Sequence, residues 1–238
     1  MYEKVEAIVI SNLKYSDNSL IVKCFTKTLG TRSYLQQGIL SAKKNSQTIA
    51  LFQPFTLLEL VATHKSNGSL GHIKEAKVTT PYLTLHTDIY KSTVSLFLSE
   101  VCAYICTSEA PDIELFNYLE EKLIYLDRNN FSANFHLKFL LDLSKYLGFY
   151  PDDSDSYLPF FSLEEGHFTT TENNTAVISG NALSLFKTLL ETDYTTLNQI
   201  RTNKNERNAL LYLLLKYYEW HFPNFKKIKS LEVLQVLF

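Results

Sequence analysis

Apolar residues fall into two rhythms along this chain. Over the first eighty residues they come in short β-branched runs; after Pro81 they recur at helical spacing. In residues 4–11 (KVEAIVIS), Val5, Ala7 and Val9 face one side, and Glu6, Ile8 and Ile10 the other. A strand partly buried on both faces reads this way. Residues 12–19 are polar and predict a connection, and residues 20–27 (LIVKCFTK) predict the second strand. Thr28-Leu29-Gly30 predicts a hairpin turn with φ > 0 at Gly30. The third strand is 31–37, followed by a basic loop holding Lys43 and Lys44. Residues 48–63 predict a fourth strand with a bulge, edge or break at Pro54, since proline cannot donate to a ladder. Residues 71–80 are the fifth. Five short strands joined by hairpins suggest a small barrel, for which a Greek-key barrel of the OB type is one well-known solution.

From Pro81 onward Val94, Phe97, Leu98, Val101, Cys102 and Ile105 form one helical stripe. Pro111 suits the first turn of a helix whose apolar face is Phe116, Leu119 and Leu123. Residues 135–147 predict a third helix, with Phe139, Leu140, Leu143 and Leu147 inward, Lys138, Asp142 and Lys145 on the opposite face, and Gly148 closing it. Residues 151–180 are polar and turn-rich, an irregular or β insertion. Helices resume at 181–191 and 203–221, the second opened by an Asn203/Glu206 capping box, and a short apolar helix ends the sequence. The fold class is therefore α+β and multidomain. An OB-type barrel over 1–80 precedes a helical domain over 81–238, interrupted at about 151–180.

Charge changes this picture. The chain of 238 residues carries a net −2. Residues 1–80, however, hold ten Lys and Arg against five Asp and Glu, and the remainder holds thirteen against twenty. Such asymmetry points a nucleic-acid partner at the barrel. The basic set is Lys14, Lys23, Lys27, Arg32, Lys43, Lys44, Lys74 and Lys77, with Lys4 and Lys65 as outliers, and Tyr15 and Tyr34 are aromatics that could stack bases beside it. The bland alternative is a solvated barrel surface.

Other chemistry is sparse. Cys24, Cys102 and Cys106 are an odd set, read as buried free thiols. The six histidines form no metal-ligand spacing, no Gly-x-Ser-x-Gly occurs, and no Gly-rich loop opens a helix. Asp152, Asp153 and Asp155 could serve as acid/base carboxylates, but such a run is far more often a solvated loop. The start, MYEKVEAIVIS, is acidic and too short in apolar residues for a signal peptide, and no run reaches the ~18 apolar residues of a membrane span. A cytoplasmic protein with no cofactor and no metal is expected.

Several stretches together are similar to the RecO family of bacterial recombination mediators. They are EAIVIS followed by Tyr15-Ser16-Asp17-Asn18-Ser19-Leu20, then Phe25-Thr26, Gly30, Gly38 and Phe52-Gln53-Pro54-Phe55-Thr56. Later come HLKFLLDLSKYLGFYPD and the ending KSLEVLQ. The resemblance implies an OB-fold, binding of single- and double-stranded DNA, and annealing of complementary strands. It also implies contacts with RecR and with the acidic C-terminal tail of single-stranded DNA-binding protein (SSB), helping RecA replace SSB at the nucleoid. Arg32, Lys43 and Lys44 match the family's basic strand and loop, with Lys27 and Lys74 as weaker DNA contacts. His136, Lys138 and Lys145 match the helix that takes the SSB tail. Two departures stand out. Gln37-Gly38 replaces a Lys-Gly pair, and 151–180 lacks the four cysteines of a zinc site. Three readings follow: a non-enzymatic DNA mediator, a protein-interaction module that holds an acidic peptide, or, far behind, an enzyme using the 151–180 carboxylates.

Overall fold

A computed structural model describes residues 2–40, 49–65, 69–172 and 177–238. Two compact units emerge, Met1–Asn129 with Ile228–Ser230, and Asn130–Lys227 with Leu231–Phe238.

The first unit begins with β1 (Tyr2–Ser16), β2 (Ser19–Thr26), β3 (Gly30–Gln36), β4 (Leu57–Thr63) and β5 (Gly71–Val78). They close into a barrel in the order β1-β2-β3-β5-β4, which is the OB arrangement. β3 and β5 run parallel, and β1 pairs antiparallel with both β2 and β4. Val5, Ala7, Val9, Val22, Cys24 and Tyr34 fill the interior. Ile8 and Ile10 point out of that interior yet are buried, because α1 (Ile89–Ile105) lies against β1. The doubly apolar pattern of residues 4–11 thus has its cause in a helix that covers the barrel.

Three local expectations change. Residues 12–16 are strand, not connection. β1 runs on to Ser16 because Asn12, Leu13 and Lys14 pair with Val22, Ile21 and Leu20, leaving only Asp17-Asn18 as the turn. Pro111 stands just before the N-cap of α2 (Ile113–Arg128), whose first turn is closed by the Asp112 carboxylate accepting the Leu115 N–H at 2.9 Å. The residues ahead of Pro54, expected as strand, form a helical turn instead, with the Phe52 and Gln53 N–H groups donating to the Ile49 and Ala50 carbonyls at 3.0 and 3.2 Å. β4 starts only at Leu57, after Phe55 takes φ +66, pinned by its N–H to the Val9 carbonyl and by the Tyr82 hydroxyl on its own carbonyl.

In the second unit, α3 (Phe135–Tyr146) is followed by β6 (Phe160–Ser162), β7 (Phe168–Thr169), β8 (Val177–Ile178), α4 (Gly180–Glu191), a 3-10 turn (Tyr194–Gln199), α5 (Lys204–His221) and α6 (Leu231–Leu237). The capping box at Asn203 and Glu206 is formed, and Gly148 takes φ +80 behind α3. The insertion is a three-stranded sheet, β7-β6-β8, on a cluster of aromatic rings: Phe161 meets Phe168, Phe186 and Tyr217 at 5.1, 4.7 and 5.7 Å. No described helix is long and apolar enough to cross a membrane.

All three thiols are buried and free. Burial pushes the Cys24 thiol up to about 12, and its contact with Cys106 together with burial pushes that of Cys102 well up. We expect no reaction with a thiol reagent at neutral pH in native buffer, and three thiols titrating in denaturant. Labelling of the native protein at even one equivalent would mean that the barrel or α1 opens locally.

Candidate nucleic-acid interface

An OB barrel offers ligands its β2–β3 face and the loops after β1 and β4. Here the β1–β2 hairpin stands clear. Leu13 and Tyr15 are 65% and 63% exposed, and the Lys14 side chain between them is 64% exposed. An apolar, a cationic and an aromatic side chain thus share one protruding tip, fit to stack a base and meet a phosphate. The Leu40 N–H donates to the Asn18 carbonyl at 3.3 Å, so the segment leading toward Lys43 and Lys44 departs beside that tip. Lys43 and Lys44 themselves lie outside the described residues. Tyr34 is not a stacking residue. It is fully buried in the barrel core, its hydroxyl 3.0 Å from His64 Nδ1, because β3 alternates and places position 34 inward.

The β2–β3 face is partly taken. The connection from α1 to α2 lies over its far end. There the Thr31 N–H donates to the Ser108 carbonyl at 2.8 Å, Lys23 Nζ donates to the Ala103 carbonyl at 2.7 Å, and Phe25 meets Phe116 at 6.0 Å. Arg32 Nη1 is 3.2 Å from the Glu109 carboxylate and Nη2 is 3.3 Å from the Glu109 carbonyl.

The cations differ in how far they are committed, and Lys14 has only an exposed contact with Asp17 at 3.7 Å. Lys27 pairs with Glu6 at 2.9 Å, which holds its pKa up, and stands 5.4 Å over the Phe116 ring. Lys74 is exposed, 3.8 Å from Glu75 and 5.7 Å from the Tyr2 ring centre. Around a cavity of about 380 Å³, Lys4 and Lys27 alternate with Glu59 and Glu6, so their fields cancel. A second cavity of about 190 Å³ gathers Lys23, Arg32 and Lys65 against Glu109 alone. Sequence reading set Lys65 aside as an outlier and did not single out Glu109. No local pattern could have found Glu109, which stands 77 positions from Arg32.

In the second unit, His136, Lys138 and Lys145 share α3, but not one solvated face. Every residue from Phe135 to Ser144 is buried, because α4, α5 and the 3-10 turn all pack around this helix. His136 packs against Phe238 at 5.7 Å; burial, aided by Arg207, lowers its pKa to about 3, so it is neutral at pH 7. Lys138 is a buried ion pair with Asp142 at 3.1 Å. Lys145 has its side chain half exposed, 3.5 Å from Asp142 and 4.4 Å from the Tyr150 ring centre. Burial alone would lower its pKa, but Asp142 and Tyr150 outweigh that and raise it, so Lys145 is the cation of the three that solvent reaches.

Asp152 is spent on a turn, accepting from the Ser154 N–H and hydroxyl at 3.0 and 2.6 Å. Among the described residues no three His, Cys, Asp or Glu side chains cluster as metal ligands.

Two family models match, described as recombination protein O N terminal over residues 1–82 and recombination protein O C terminal over 86–232. The chain belongs to the RecO family. Relatives named DNA repair protein RecO include those of Flavobacterium johnsoniae and Flavobacterium psychrophilum, 44% and 43% identical over 238 residues, with all of both chains covered. That of Bacteroides fragilis is 36% identical over 242 residues, again over the whole of both. The RecO N-terminal match spans the barrel, and the C-terminal match begins just ahead of α1.

Proposed function

We propose that this chain acts in DNA repair as a non-enzymatic recombination mediator. Residues 1–80 serve as the nucleic-acid domain and residues 81–238, with their insertion at about 151–180, as the partner-binding domain. DNA meets the barrel through its phosphates, with little sequence preference. Lys14 and Tyr15 on the hairpin, together with Lys43, Lys44 and Arg32, carry the contact, with Lys27 and Lys74 at its margin. With RecR the protein anneals complementary strands and helps RecA replace SSB in the cytoplasm, and the acidic SSB tail docks on the helical domain with Lys145 as its accessible cation. The observation that supports this best is the exposed Leu13-Lys14-Tyr15 tip on an OB barrel, beside the start of the basic loop.

Anisotropy of a labelled strand of about 30 nucleotides, titrated between roughly 50 and 200 mM salt, tests the reading. Affinity should fall steeply with salt. Lys14→Glu with Lys43→Glu and Lys44→Glu should weaken binding at least tenfold and flatten the salt slope by about three. An unchanged affinity in the triple variant would remove these residues from the interface. A protein-interaction module is the second reading, favoured by the internal partners that Lys23, Lys27 and Arg32 already have. It predicts binding of an SSB tail peptide and none of DNA, even at the lowest salt.

A further inference from the structure

The cavity between β3, the end of β4 and the α1–α2 connection has a composition unlike the rest of the barrel surface. Lys23, Arg32 and Lys65 converge on it, with the hydroxyl residues Thr31, Ser33 and Ser69 in its walls. Arg32 is poorly satisfied there. Nη1 reaches one Glu109 carboxylate oxygen and the Thr31 carbonyl and Nη2 the Glu109 carbonyl at 3.3 Å, while Nε is buried and donates to no described atom. The Thr31 hydroxyl is likewise buried without a hydrogen-bond partner among the described residues. Lys23 is held by a carbonyl and makes no carboxylate pair among the described residues, and burial lowers its pKa. An incoming anion would compensate the charges of Lys23 and Arg32, and a small rotation of the Arg32 and Thr31 side chains would let it reach the buried Nε and Thr31 hydroxyl. At about 190 Å³ the space is smaller than the roughly 300–1,000 Å³ of pockets that enclose whole organic ligands. A tetrahedral oxyanion, with several acceptor oxygens at fixed angles, suits an arginine fork and two ammonium groups.

We propose that this cavity seats a single phosphate group, and that the Glu109 carboxylate occupies Arg32 until that phosphate displaces it. The inference rests on the reading of the barrel as a DNA-binding domain and adds a place and a built-in competitor. Glu109 acts as an internal stand-in for phosphate. Its carboxylate meets Arg32 through one oxygen and is partly exposed, so that ion pair is weak enough to exchange while the Glu109 carbonyl still accepts from Nη2. The α1–α2 connection then serves as a strap that DNA must share with the β2–β3 face. The phosphate could come from the DNA backbone or be free in solution.

The test compares the full-length protein with Glu109→Gln and Lys65→Gln. Glu109→Gln removes the competing charge and keeps the shape, and should tighten single-strand binding about three- to tenfold at roughly 100 mM salt. Lys65→Gln, an exposed position with little risk to folding, should weaken it about threefold and lower the salt slope by about one. Exchanging chloride for inorganic phosphate at constant ionic strength separates the sources. Loss of DNA binding and a raised Tm in phosphate, both blunted in Lys65→Gln, assign the seat to free phosphate as well. Indifference to phosphate, with both variant effects intact, assigns it to the DNA backbone. If the wild type binds DNA but neither variant changes the affinity, the seat is overturned while the DNA-binding reading stands. If no form binds DNA at any salt, both fall.

Discussion

Asp127→Ala is expected to destabilise the N-terminal unit by roughly 3–5 kcal/mol, a large part of the stability of an ordinary domain. The carboxylate is buried at the end of α2 and accepts three successive backbone N–H groups, from Leu83, Thr84 and Leu85, at 2.8–3.0 Å. Just beside it the buried Lys91 ammonium is held by the Asp127 and Asn129 carbonyls and the Thr84 hydroxyl, at 2.9, 2.8 and 2.8 Å. Alanine would strand three N–H donors and leave a buried cation with less compensation. The joint it would loosen is the one that leads from the barrel into α1. Burial alone would raise the Asp127 pKa, but the N–H groups of Thr84, Leu83 and Leu85, with Arg128, outweigh it and hold it below the ordinary value. A depressed folded-state pKa contributes stability that is fully present above the unfolded value, about 3.9, and lost as pH falls through the folded value. The gap between wild type and Asp127→Asn in urea midpoints should therefore be wide at pH 7 and close below about pH 4. A gap under 1 kcal/mol at pH 7 would show that the asparagine amide oxygen serves the three N–H groups as well as the carboxylate does.

Gly30→Ala is expected to cost about 3 kcal/mol and to raise DNA affinity among the molecules that remain folded. Gly30 takes φ +67, and a Cβ there would lie 2.4 Å from the Ala110 carbonyl oxygen and 2.6 Å from Glu109 backbone atoms. Neither is the tip of a flexible side chain, so the α1–α2 connection itself must move. That movement would draw Glu109 away from Arg32, the same opening that Glu109→Gln achieves by chemistry. Thermal melting reports the cost, and strand titration below the melting range reports the affinity. Lower stability with unchanged or weaker binding would separate the strap from the interface.

Periodicity alone reached the barrel. The strands over 20–27, 31–37 and 71–80 and the turn at Gly30 were legible because each rests on local chemistry, alternation or a positive φ, whereas the strand expected ahead of Pro54 is a helical turn. The helices after Pro81 were legible for the same reason, from a 3.6-residue stripe and a capping box at Asn203. The order and spacing of its motifs pointed to the RecO family, which the full-length matches bear out.

Tertiary structure decided which side chains are available. Tyr34 and Tyr15 look alike in sequence, yet one is core and the other protrudes, since register within the closed barrel settles which way a position faces. Lys138 and Lys145 share a helix face by spacing, yet one is buried and the other half exposed, because α4, α5 and the 3-10 turn cover α3 as far as Ser144. Arg32 acquires Glu109, and Lys23 the end of α1, from residues some eighty positions away. Local sequence sets backbone preference over a few residues. The availability of a charge depends on burial and on partners brought in by folding, which no local pattern contains.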